Sequence, residues 1–426
     1  MTRLIKPSGP LKGSVSFAGD KSISHRALIF GALAEGQTVI ENLAASQDVI
    51  ATLECLRALG ADIRQGDGLT TVEGQGLQGF HAPAGPLDAK NSATSMRLLM
   101  GLLAGQPFRS TLTGDASLRK RPMKRVAIPL QKMGARIQLE RDETAPVAIE
   151  GAELNGIEYS MPVASAQLKS AVLLAGLLAK GETVVHEPVP SRDHTEIWLR
   201  YFGAKLEISA ATIAVSGGQV LQAQKLKVPG DFSSAAFWLA AAALSPGSEL
   251  TVQGVVLNPT RVGFLRLLKQ MGGQFKIAFE KDHPELVGSI TLQAAPLSAF
   301  ELGAGDVPLV IDEIPLLALM ATQARGTSVV KGARELRIKE TDRIDAVAKL
   351  IAAMGGSIEV FSDGFAVSGP QKLRGAEIDS FGDHRIAMTA AVAGLIAEGP
   401  TAVKDAECVS ISYPDFFDVL DRLRHD

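Results

Sequence analysis

The sequence is poor in aromatic residues, cysteine and net charge, and each shortage excludes a class of protein. Aromatic residues make up 5% of the 426 residues, too few for the stacking platforms that hold single-stranded nucleic acid. The formal net charge is −3, so no overall positive field favours nucleic acid or an anionic membrane. Cys55 and Cys408 have no neighbouring cysteine or histidine, which favours buried free thiols and a cytoplasmic location.

Long apolar runs and the common cofactor motifs are also missing. The run Ala235–Leu244 is too short for a membrane helix, which needs roughly 20 apolar residues, and Met1–Lys12 has no apolar signal core. The seven histidines are dispersed, and no HExxH, Walker A or strand-linked GxGxxG pattern occurs. The sequence therefore predicts no membrane span and gives no support for metal or nucleotide binding.

What the sequence does contain is a block of about 65 to 80 residues that recurs six times. Each copy has an Ala- and Leu-rich helix, a β-like run, a polar loop and a second helix. We predict that a glycine after each helix takes the left-handed C′ position. These glycines are Gly36, Gly105, Gly181, Gly247, Gly326 and Gly399 after the first helices, and Gly60, Gly134, Gly203, Gly272 and Gly355 after the second helices.

The ends of the chain indicate how the copies are grouped. The sixth copy stops before its last strand, while Arg3–Phe17 has strand character without a helix, so we expect the N-terminus to complete the sixth copy. Three copies in each domain give one discontinuous domain of residues 1–19 and 230–426 and a second domain of residues 20–229. The two glycine-bearing crossings, near 19–20 and 228–231, indicate a hinge between similar lobes.

Polar and charged residues collect at the start of the first helix in each copy. Lys21–Arg26, Asn91–Arg97 and Gly382–Arg385 are examples, and we expect Ser22 or Ser24 to cap the first of these helices. Capping does not explain the cations, because a helix N-terminus is already positive. Cations in that position favour an anionic ligand, although a capped helix with solvated cations is the simpler alternative.

Two starts of second helices carry further charge. Arg119–Arg125 has five cations in seven residues around Pro122, which suits position N1 of a helix, and Arg337–Arg343 mixes both signs. The alternatives are a nucleic-acid patch for the first run and solvated or ion-paired surfaces for both. Together with the first-helix starts, these runs predict a cleft between two lobes that binds small anions.

Three of these runs, Gly19–Arg26, Asn91–Arg97 and Arg337–Arg343, resemble the EPSP synthase family, and the resemblance extends from about Lys6 to Phe417. It implies an α/β fold of two similar domains, each of three βαβαββ units in an inside-out α/β barrel, with the active site in the interdomain cleft. It implies addition–elimination transfer of the enolpyruvyl group of phosphoenolpyruvate to the 5-hydroxyl of shikimate 3-phosphate, with phosphate released. It also implies a monomer that opens and closes and needs no cofactor.

The resemblance also assigns roles to residues. Asp312 would be the base for the 5-hydroxyl, and Glu340 would handle the proton at the methylene carbon, with Lys21 as its rival or helper, since the reaction needs one proton removed and one added. The residues for shikimate 3-phosphate would be Ser22, Arg26, Ser165, Ala166, Gln167, Arg192, Asp312 and Lys339. Those for phosphoenolpyruvate would be Lys21, Asn91, Ala93, Thr94, Arg121, Gln167, Arg343, His384 and Arg385.

Three positions depart from the family pattern. Lys90 replaces a usual glycine, so a positive φ there would strain the turn, and Ile411 stands where many members have a lysine. Ala93 replaces a common glycine, and together with the Ser165-Ala166-Gln167 run it resembles the glyphosate-tolerant class. Simple helix-start preference for alanine is the other explanation.

Two other functions fit part of the pattern. UDP-N-acetylglucosamine enolpyruvyl transferases share the fold and the reaction, but they typically carry a cysteine on the mobile loop near residues 110–125 and lack the Asp-Lys-Ser run. This chain has no cysteine there. A non-catalytic anion-binding protein would need neither Asp312 nor Glu340, and an assay of phosphate release separates it from an enzyme.

Overall fold

The computed structural model describes residues 1–424 and separates the chain into two units. The middle unit is Ala18–Val228, and the terminal unit joins Met1–Phe17 to the chain from Pro229 onward. Each unit holds three small sheets and the helices that pack on them. The expected α/β class is confirmed.

Helices alternate with strands through both units. In residues 1–424 the α-helices are α1 (Lys21–Leu33), α2 (Gln47–Ala58), α3 (Ala93–Ala104), α4 (Lys124–Met133), α5 (Ala166–Leu178), α6 (His194–Tyr201), α7 (Phe232–Leu244), α8 (Gly263–Gln270), α9 (Val307–Val310), α10 (Ile314–Gln323), α11 (Arg343–Ala353), α12 (His384–Ile396) and α13 (Phe416–Leu423). Short 3₁₀ turns cover Leu118–Lys120, Arg334–Ile338 and Ala406–Ile411.

The strands are short, and most belong to four-stranded sheets. Those of the N-terminal half are β1 (Arg3–Ile5), β2 (Lys12–Ser16), β3 (Ala34–Glu41), β4 (Asp62–Gly66), β5 (Leu69–Gln75), β6 (Leu87–Asp88), β7 (Arg109–Thr113), β8 (Arg136–Gln138), β9 (Val147–Glu150), β10 (Glu158–Ser160), β11 (Glu182–His186), β12 (Leu206–Ser209), β13 (Thr212–Ser216), β14 (Leu221–Gln222) and β15 (Lys225–Lys227). Those of the C-terminal half are β16 (Glu249–Val256), β17 (Gln274–Lys281), β18 (Val287–Gln293), β19 (Glu301–Leu302), β20 (Gly326–Val330), β21 (Glu359–Phe361), β22 (Gly364–Gly369), β23 (Glu377–Asp379) and β24 (Thr401–Lys404).

The second repeat shows how each sheet is built. Helix α3 connects the parallel strands β6 and β7, and α4 leads into the antiparallel hairpin β8–β9, which returns beside β7. The resulting order β6-β7-β9-β8 recurs in β10-β11-β13-β12 and β19-β20-β22-β21. Because the closing hairpin pairs within its own repeat, the described strands of a unit form three separate sheets and no closed β-barrel. Three α/β repeats in each unit are what the family resemblance implied.

Some repeats take a strand from elsewhere in their unit. Strand β15 lies parallel to β3 of the first repeat, and β2 lies parallel to β16 of the fourth. Strand β1 pairs antiparallel with β24 of the sixth repeat. The N-terminal segment therefore serves two repeats where only the sixth was expected, since the linker between β1 and β2 reaches the neighbouring sheet.

The first helix of each repeat is buried on nearly every side. Helix α3 is buried from Ala93 to Ala104 except at Thr94, and α12 is buried from His384 to Leu395. A helix with no solvated face can offer polar groups only at its ends. The residues at its N-terminus are therefore the ones available to a ligand.

The two kinds of helix end differently. The glycines after the second helices, such as Gly60 and Gly134, have positive φ as predicted. The same prediction is wrong for the first helices: α1 ends at Leu33, Ala34 is already extended, and Gly36 takes its positive φ inside β3. Helices α5, α10 and α12 are likewise followed by an extended alanine, whereas α3 is followed by Gly105 with φ −99° and α7 by Ser245.

Helices α3 and α5 pack closely across Gly101, and both carry predicted site residues at their N-termini. A Cβ built on Gly101 would lie 2.2 Å from the carbonyl oxygen of Ala171 in α5. Backbone cannot move as a flexible side chain would, so even a methyl group must push the helices apart.

We predict that Gly101→Ala lowers the free energy of unfolding by about 2 kcal/mol, measured by urea unfolding followed by circular dichroism. Gly66→Ala in β4 is the matched control, because a Cβ there meets nothing within 4 Å, and its effect should stay within about 0.5 kcal/mol. Equal stability of the two variants would contradict the close packing.

Candidate active site

Several predicted phosphoenolpyruvate residues of the middle unit form hydrogen-bonded groups. Gln167 Nε2 donates to Thr94 Oγ1 at 2.8 Å, and Arg121 Nη2 donates to Asn91 Oδ1 at 2.9 Å. Arg97, which the resemblance did not assign, donates from Nη1 to Gln167 Oε1 at 2.5 Å. The starts of α3 and α5 and the loop before α4 are therefore joined by side-chain contacts.

The turn before Asn91 is strained. Lys90 has φ +52°, a left-handed conformation that costs a non-glycine residue about 1–2 kcal/mol. Asp88 holds the turn, because its Oδ1 accepts the Lys90 backbone N–H at 2.8 Å and its Oδ2 accepts Lys90 Nζ at 2.6 Å. The strain expected at this departure is therefore present, and Ala93 begins α3 two residues after Asn91 as a buried residue.

Lys21 is the first residue of α1, and Asp20 rather than a serine caps this helix. Asp20 Oδ1 accepts the Ile23 backbone N–H at 2.9 Å. Ser22 and Ser24 lie inside the helix, so the predicted serine cap is wrong, and Ser24 Oγ instead accepts the Ala44 backbone N–H. Pro122 likewise misses position N1, because α4 begins two residues later at Lys124.

A buried carboxylate accompanies the Lys21 ammonium. Lys21 Nζ donates to Asp48 Oδ2 at 2.9 Å, and the Asp48 side chain is only 8% exposed. Beneath this pair, His25 Nδ1 and Thr52 Oγ1 are 2.7 Å apart, and Thr52 Oγ1 lies 2.7 Å from Ser95 Oγ. This chain of hydrogen bonds links α1, α2 and α3.

His25 is neutral in this network. Burial, with the nearby charges of Lys21 and Arg26, lowers the pKa of its imidazole well below the ordinary value. A neutral ring next to two cations adds no repulsion to them. The network thus fixes α1, α2 and α3 against one another without adding charge.

Arg26 is held by three acceptors and is buried. Its Nε donates to Thr195 Oγ1 at 2.7 Å, its Nη2 to Ser170 Oγ at 2.8 Å and its Nη1 to the Ser22 carbonyl at 2.7 Å. Ser170 Oγ also donates to the Ala166 carbonyl at 2.6 Å. The predicted shikimate 3-phosphate residues on α1 and α5 are therefore joined.

The remaining predicted residues of the middle unit lie at nearby helix starts. Ser165 caps α5 through the Leu168 backbone N–H. Arg192 is half-buried just before α6, one residue after buried Ser191. Ser170 and Thr195 escaped notice in the sequence because a hydroxyl inside a helix is unremarkable until its partner is known.

In the terminal unit, Arg343 is the centre of a buried charged group. Its Nε donates to Asp383 Oδ2 at 2.8 Å, its Nη2 to Glu340 Oε2 at 2.6 Å, and its Nη1 lies 3.5 Å from Asp312 Oδ1. Burial would lower the pKa of this guanidinium, but Asp383, Glu340 and Asp312 outweigh burial and raise it. Arg343 therefore stays cationic between the two carboxylates predicted to move protons.

Asp312 faces two further arginines. Arg261 Nη1 lies 3.9 Å and Arg385 Nη2 lies 4.0 Å from Asp312 Oδ2. These separations place the guanidinium charges close to the carboxylate without full hydrogen bonds. Together with Arg343, these residues surround the Asp312 carboxylate with three guanidinium groups.

The other predicted residues of the terminal unit differ in how deeply they are buried. His384 is the buried first residue of α12, with Nδ1 3.9 Å from Asp383 Oδ1. Lys339 is half-buried at the end of the 3₁₀ turn Arg334–Ile338. Ile411 is buried in the Ala406–Ile411 turn, so the side chain at this departure from the family pattern is apolar and turned away from solvent.

Residues 1–424 contain no cluster of metal ligands, no helix able to span a membrane and no disulfide bond. No cluster of three or more His, Cys, Asp or Glu side chains there is arranged to hold a metal ion. No helix in the same range is long and apolar enough to cross a bilayer. Both cysteines are free and buried, as the sequence predicts. What the site offers is arginine, lysine, amide and hydroxyl donors with paired carboxylates.

Residues 5–420 match the family model of EPSP synthase (3-phosphoshikimate 1-carboxyvinyltransferase). The chain belongs to the EPSP synthase family. It is 48% identical over 423 residues to the 3-phosphoshikimate 1-carboxyvinyltransferase of Desulforamulus reducens and 47% identical over 424 residues to that of Bacillus thuringiensis, with 99% of each chain covered in both cases.

Solved structures support the EPSP synthase assignment. The EPSP synthase from Acinetobacter baumannii superposes with a TM-score of 0.88 at 42% identity, covering 99% of this chain and 98% of that one. The enolpyruvyl transferase NikO from Streptomyces tendae has a TM-score of 0.80 at 19% identity, covering 99% and 96%, and shares the fold. As a member of the EPSP synthase family, the chain is a transferase.

We predict that Asp383→Asn lowers the free energy of unfolding by about 2 kcal/mol, because Arg343 loses a charged acceptor. Asparagine is as good an N-cap as aspartate, so α12 should remain capped. Asp342→Asn is the matched control: Asp342 caps α11 but pairs with Arg337 at a more exposed position. Urea unfolding measures both, and similar small losses would show that the Arg343 pair adds nothing.

Proposed function

We propose that this chain transfers the enolpyruvyl group of phosphoenolpyruvate to the 5-hydroxyl of shikimate 3-phosphate, releasing phosphate. The observation that carries the proposal is the pair of carboxylates, Asp312 and Glu340, that share Arg343 in the terminal unit. Helix starts rich in cations in the middle unit support the binding of two polyanions. Membership of the EPSP synthase family supports the same reaction.

The proposed chemistry uses the two carboxylates in turn. Asp312 accepts the 5-hydroxyl proton as the oxygen attacks C2 of phosphoenolpyruvate, while Glu340, in its acid form, gives a proton to the methylene carbon. In the second step Glu340 takes a proton back from the resulting methyl group, the double bond re-forms, and the C–O bond to phosphate breaks. The proton held by Asp312 leaves with the released phosphate, so both carboxylates return to their starting forms. Lys21 is the alternative or helper for the proton at that carbon.

The cations stabilise charge during these steps. Positive charge develops at C2 and negative charge on the departing phosphate, and preorganised donors lower the energy of both changes. The residues proposed for phosphoenolpyruvate are Lys21, Asn91, Ala93, Thr94, Arg121, Gln167, Arg343, His384 and Arg385. Those proposed for shikimate 3-phosphate are Ser22, Arg26, Ser165, Ala166, Gln167, Arg192, Asp312 and Lys339.

The proposal extends to the assembly. The two units would act together on one pair of substrates, opening and closing as the anions bind and leave. The protein would act as a monomer in the cytoplasm. Buried free thiols at Cys55 and Cys408 accord with a reducing compartment.

Phosphate release from phosphoenolpyruvate with shikimate 3-phosphate as acceptor tests the function. We predict turnover by the parent and a fall in kcat of about 100-fold or more for Asp312→Ala with both substrates still bound. Asp306→Ala, which removes a more exposed carboxylate from the same segment, should leave kcat within twofold. Turnover with UDP-N-acetylglucosamine instead, or no turnover at all, would overturn the proposal.

Ala93 provides a test of inhibitor selection at the phosphoenolpyruvate position. Its methyl group would crowd glyphosate, which is longer than phosphoenolpyruvate when extended, more than it crowds the substrate. A difference of about 2 kcal/mol corresponds to roughly 30-fold. We predict that Ala93→Gly lowers the inhibition constant of glyphosate by about that factor at matched phosphoenolpyruvate.

The control for this measurement is the KM for phosphoenolpyruvate, which should change by less than about threefold in Ala93→Gly. Helix-start preference alone would change stability by under about 1 kcal/mol and leave inhibition unchanged. A parent that glyphosate inhibits tightly would show that the methyl group does not exclude the inhibitor.

A further inference from the structure

A second charged group is buried in the middle unit, and the proposed chemistry does not use it. Lys169 Nζ lies 2.8 Å from Glu187 Oε2 and 2.6 Å from Glu196 Oε1. The lysine side chain is 1% exposed and each glutamate 4%. Charges this deeply buried are costly unless they are paired, so their presence calls for an explanation.

The three residues, which we call the Lys169 triad, join three separate segments of chain. Lys169 lies in the first turns of α5, Glu196 lies in the first turn of α6, and Glu187 follows β11. Glu187 reaches further, because its Oε1 accepts Ser191 Oγ at 2.5 Å and the Ser191 backbone N–H at 3.2 Å. The triad therefore anchors the 187–191 loop to the start of α5.

The triad adjoins the residues that position Arg26 and Arg192, the two arginines of the proposed shikimate 3-phosphate half-site. Ser170, next to Lys169, and Thr195, next to Glu196, are the two hydroxyls that hold the Arg26 guanidinium. The same two hydroxyls lie 2.6 Å apart. Arg192 directly follows Ser191, which Glu187 anchors.

We propose that Lys169 is a positioning residue for this half-site. Through Glu196 it fixes α6 against α5, so that Thr195 and Ser170 together aim Arg26. Through Glu187 and Ser191 it fixes the backbone that carries Arg192. The inference rests on the proposed function, since it concerns binding of shikimate 3-phosphate.

Ion pairs suit this task better than apolar packing. A buried ammonium with two carboxylates is satisfied in few arrangements, whereas apolar side chains remain in contact when helices slide past each other. A slide of about 1 Å is enough to spoil the alignment of an arginine with a phosphate. Burial raises the pKa of the Glu196 carboxyl, and Lys169 opposes this rise, so the lysine helps to keep the carboxylate charged.

The test replaces the whole triad, because removing Lys169 alone would leave two buried carboxylates uncompensated. In Lys169→Met/Glu187→Gln/Glu196→Gln we expect the KM for shikimate 3-phosphate to rise about tenfold or more. The KM for phosphoenolpyruvate and kcat should stay within about threefold. A role confined to stability would not separate the two substrates in this way.

The matched control is Lys180→Met/Glu153→Gln. This ion pair lies just beyond the C-terminal end of α5, and both of its side chains are largely exposed. Its removal makes the same kinds of substitution in the same region without touching the triad. Both KM values should stay at the parent level.

A second variant applies if the triple variant does not fold. Ser191→Ala removes only the hydroxyl that Glu187 holds and leaves all three charges paired. We expect a rise of about threefold to tenfold in the KM for shikimate 3-phosphate with the thermal midpoint near that of the parent.

Several outcomes would overturn the inference. One is a folded triple variant with the parent KM for shikimate 3-phosphate. Another is an equal loss for both substrates, and a third is a Ser191→Ala variant with parent kinetics. A parent that releases no phosphate at all would instead refute the proposed function, and the inference with it, before any variant is compared.

Discussion

A helix that is buried along its whole length can present polar groups only at its two ends, and this constraint organises the molecule. In each described repeat the first helix is surrounded by a sheet and by neighbouring helices, as the nearly complete burial of α3 and α12 shows. Its N-terminus carries unsatisfied N–H groups and a partial positive charge. Repeating the unit therefore repeats an anion-attracting position, and the chain has equipped these positions with arginine, lysine, amide and hydroxyl groups.

The cost of this arrangement is the concentration of positive charge, and the structure offsets it with buried carboxylates. Lys21 is accompanied by Asp48 and Arg343 by Asp383, while Arg26 is surrounded by neutral hydroxyl and carbonyl acceptors. These partners hold the cations in fixed positions before a ligand arrives. Preorganised charge of this kind needs no rearrangement at the moment of reaction.

Beyond the groups that would touch a substrate lies a layer that only holds them. The His25–Thr52–Ser95 chain joins helices α1, α2 and α3, and Asp88 secures the strained Lys90 turn. The Lys169 triad joins α5, α6 and the loop before Arg192. None of these contacts is local in sequence apart from the Asp88 turn. They determine geometry because buried hydrogen bonds and ion pairs are satisfied in few arrangements.

The sequence by itself determined the α/β class, the second-helix glycine stops and the family, since each of these depends on local periodicity, composition or an ordered set of motifs. The sequence also identified the helix N-termini that carry the predicted site residues. Only the tertiary structure decided that Asp383 pairs with Arg343, that Asp48 accompanies Lys21, and that Ser170 and Thr195 hold Arg26. The reason is physical: a pattern records which residues share a helix, but partners far apart in the chain meet only when helices and sheets pack. Their directional contacts, unlike hydrophobic periodicity, leave no regular trace in the sequence.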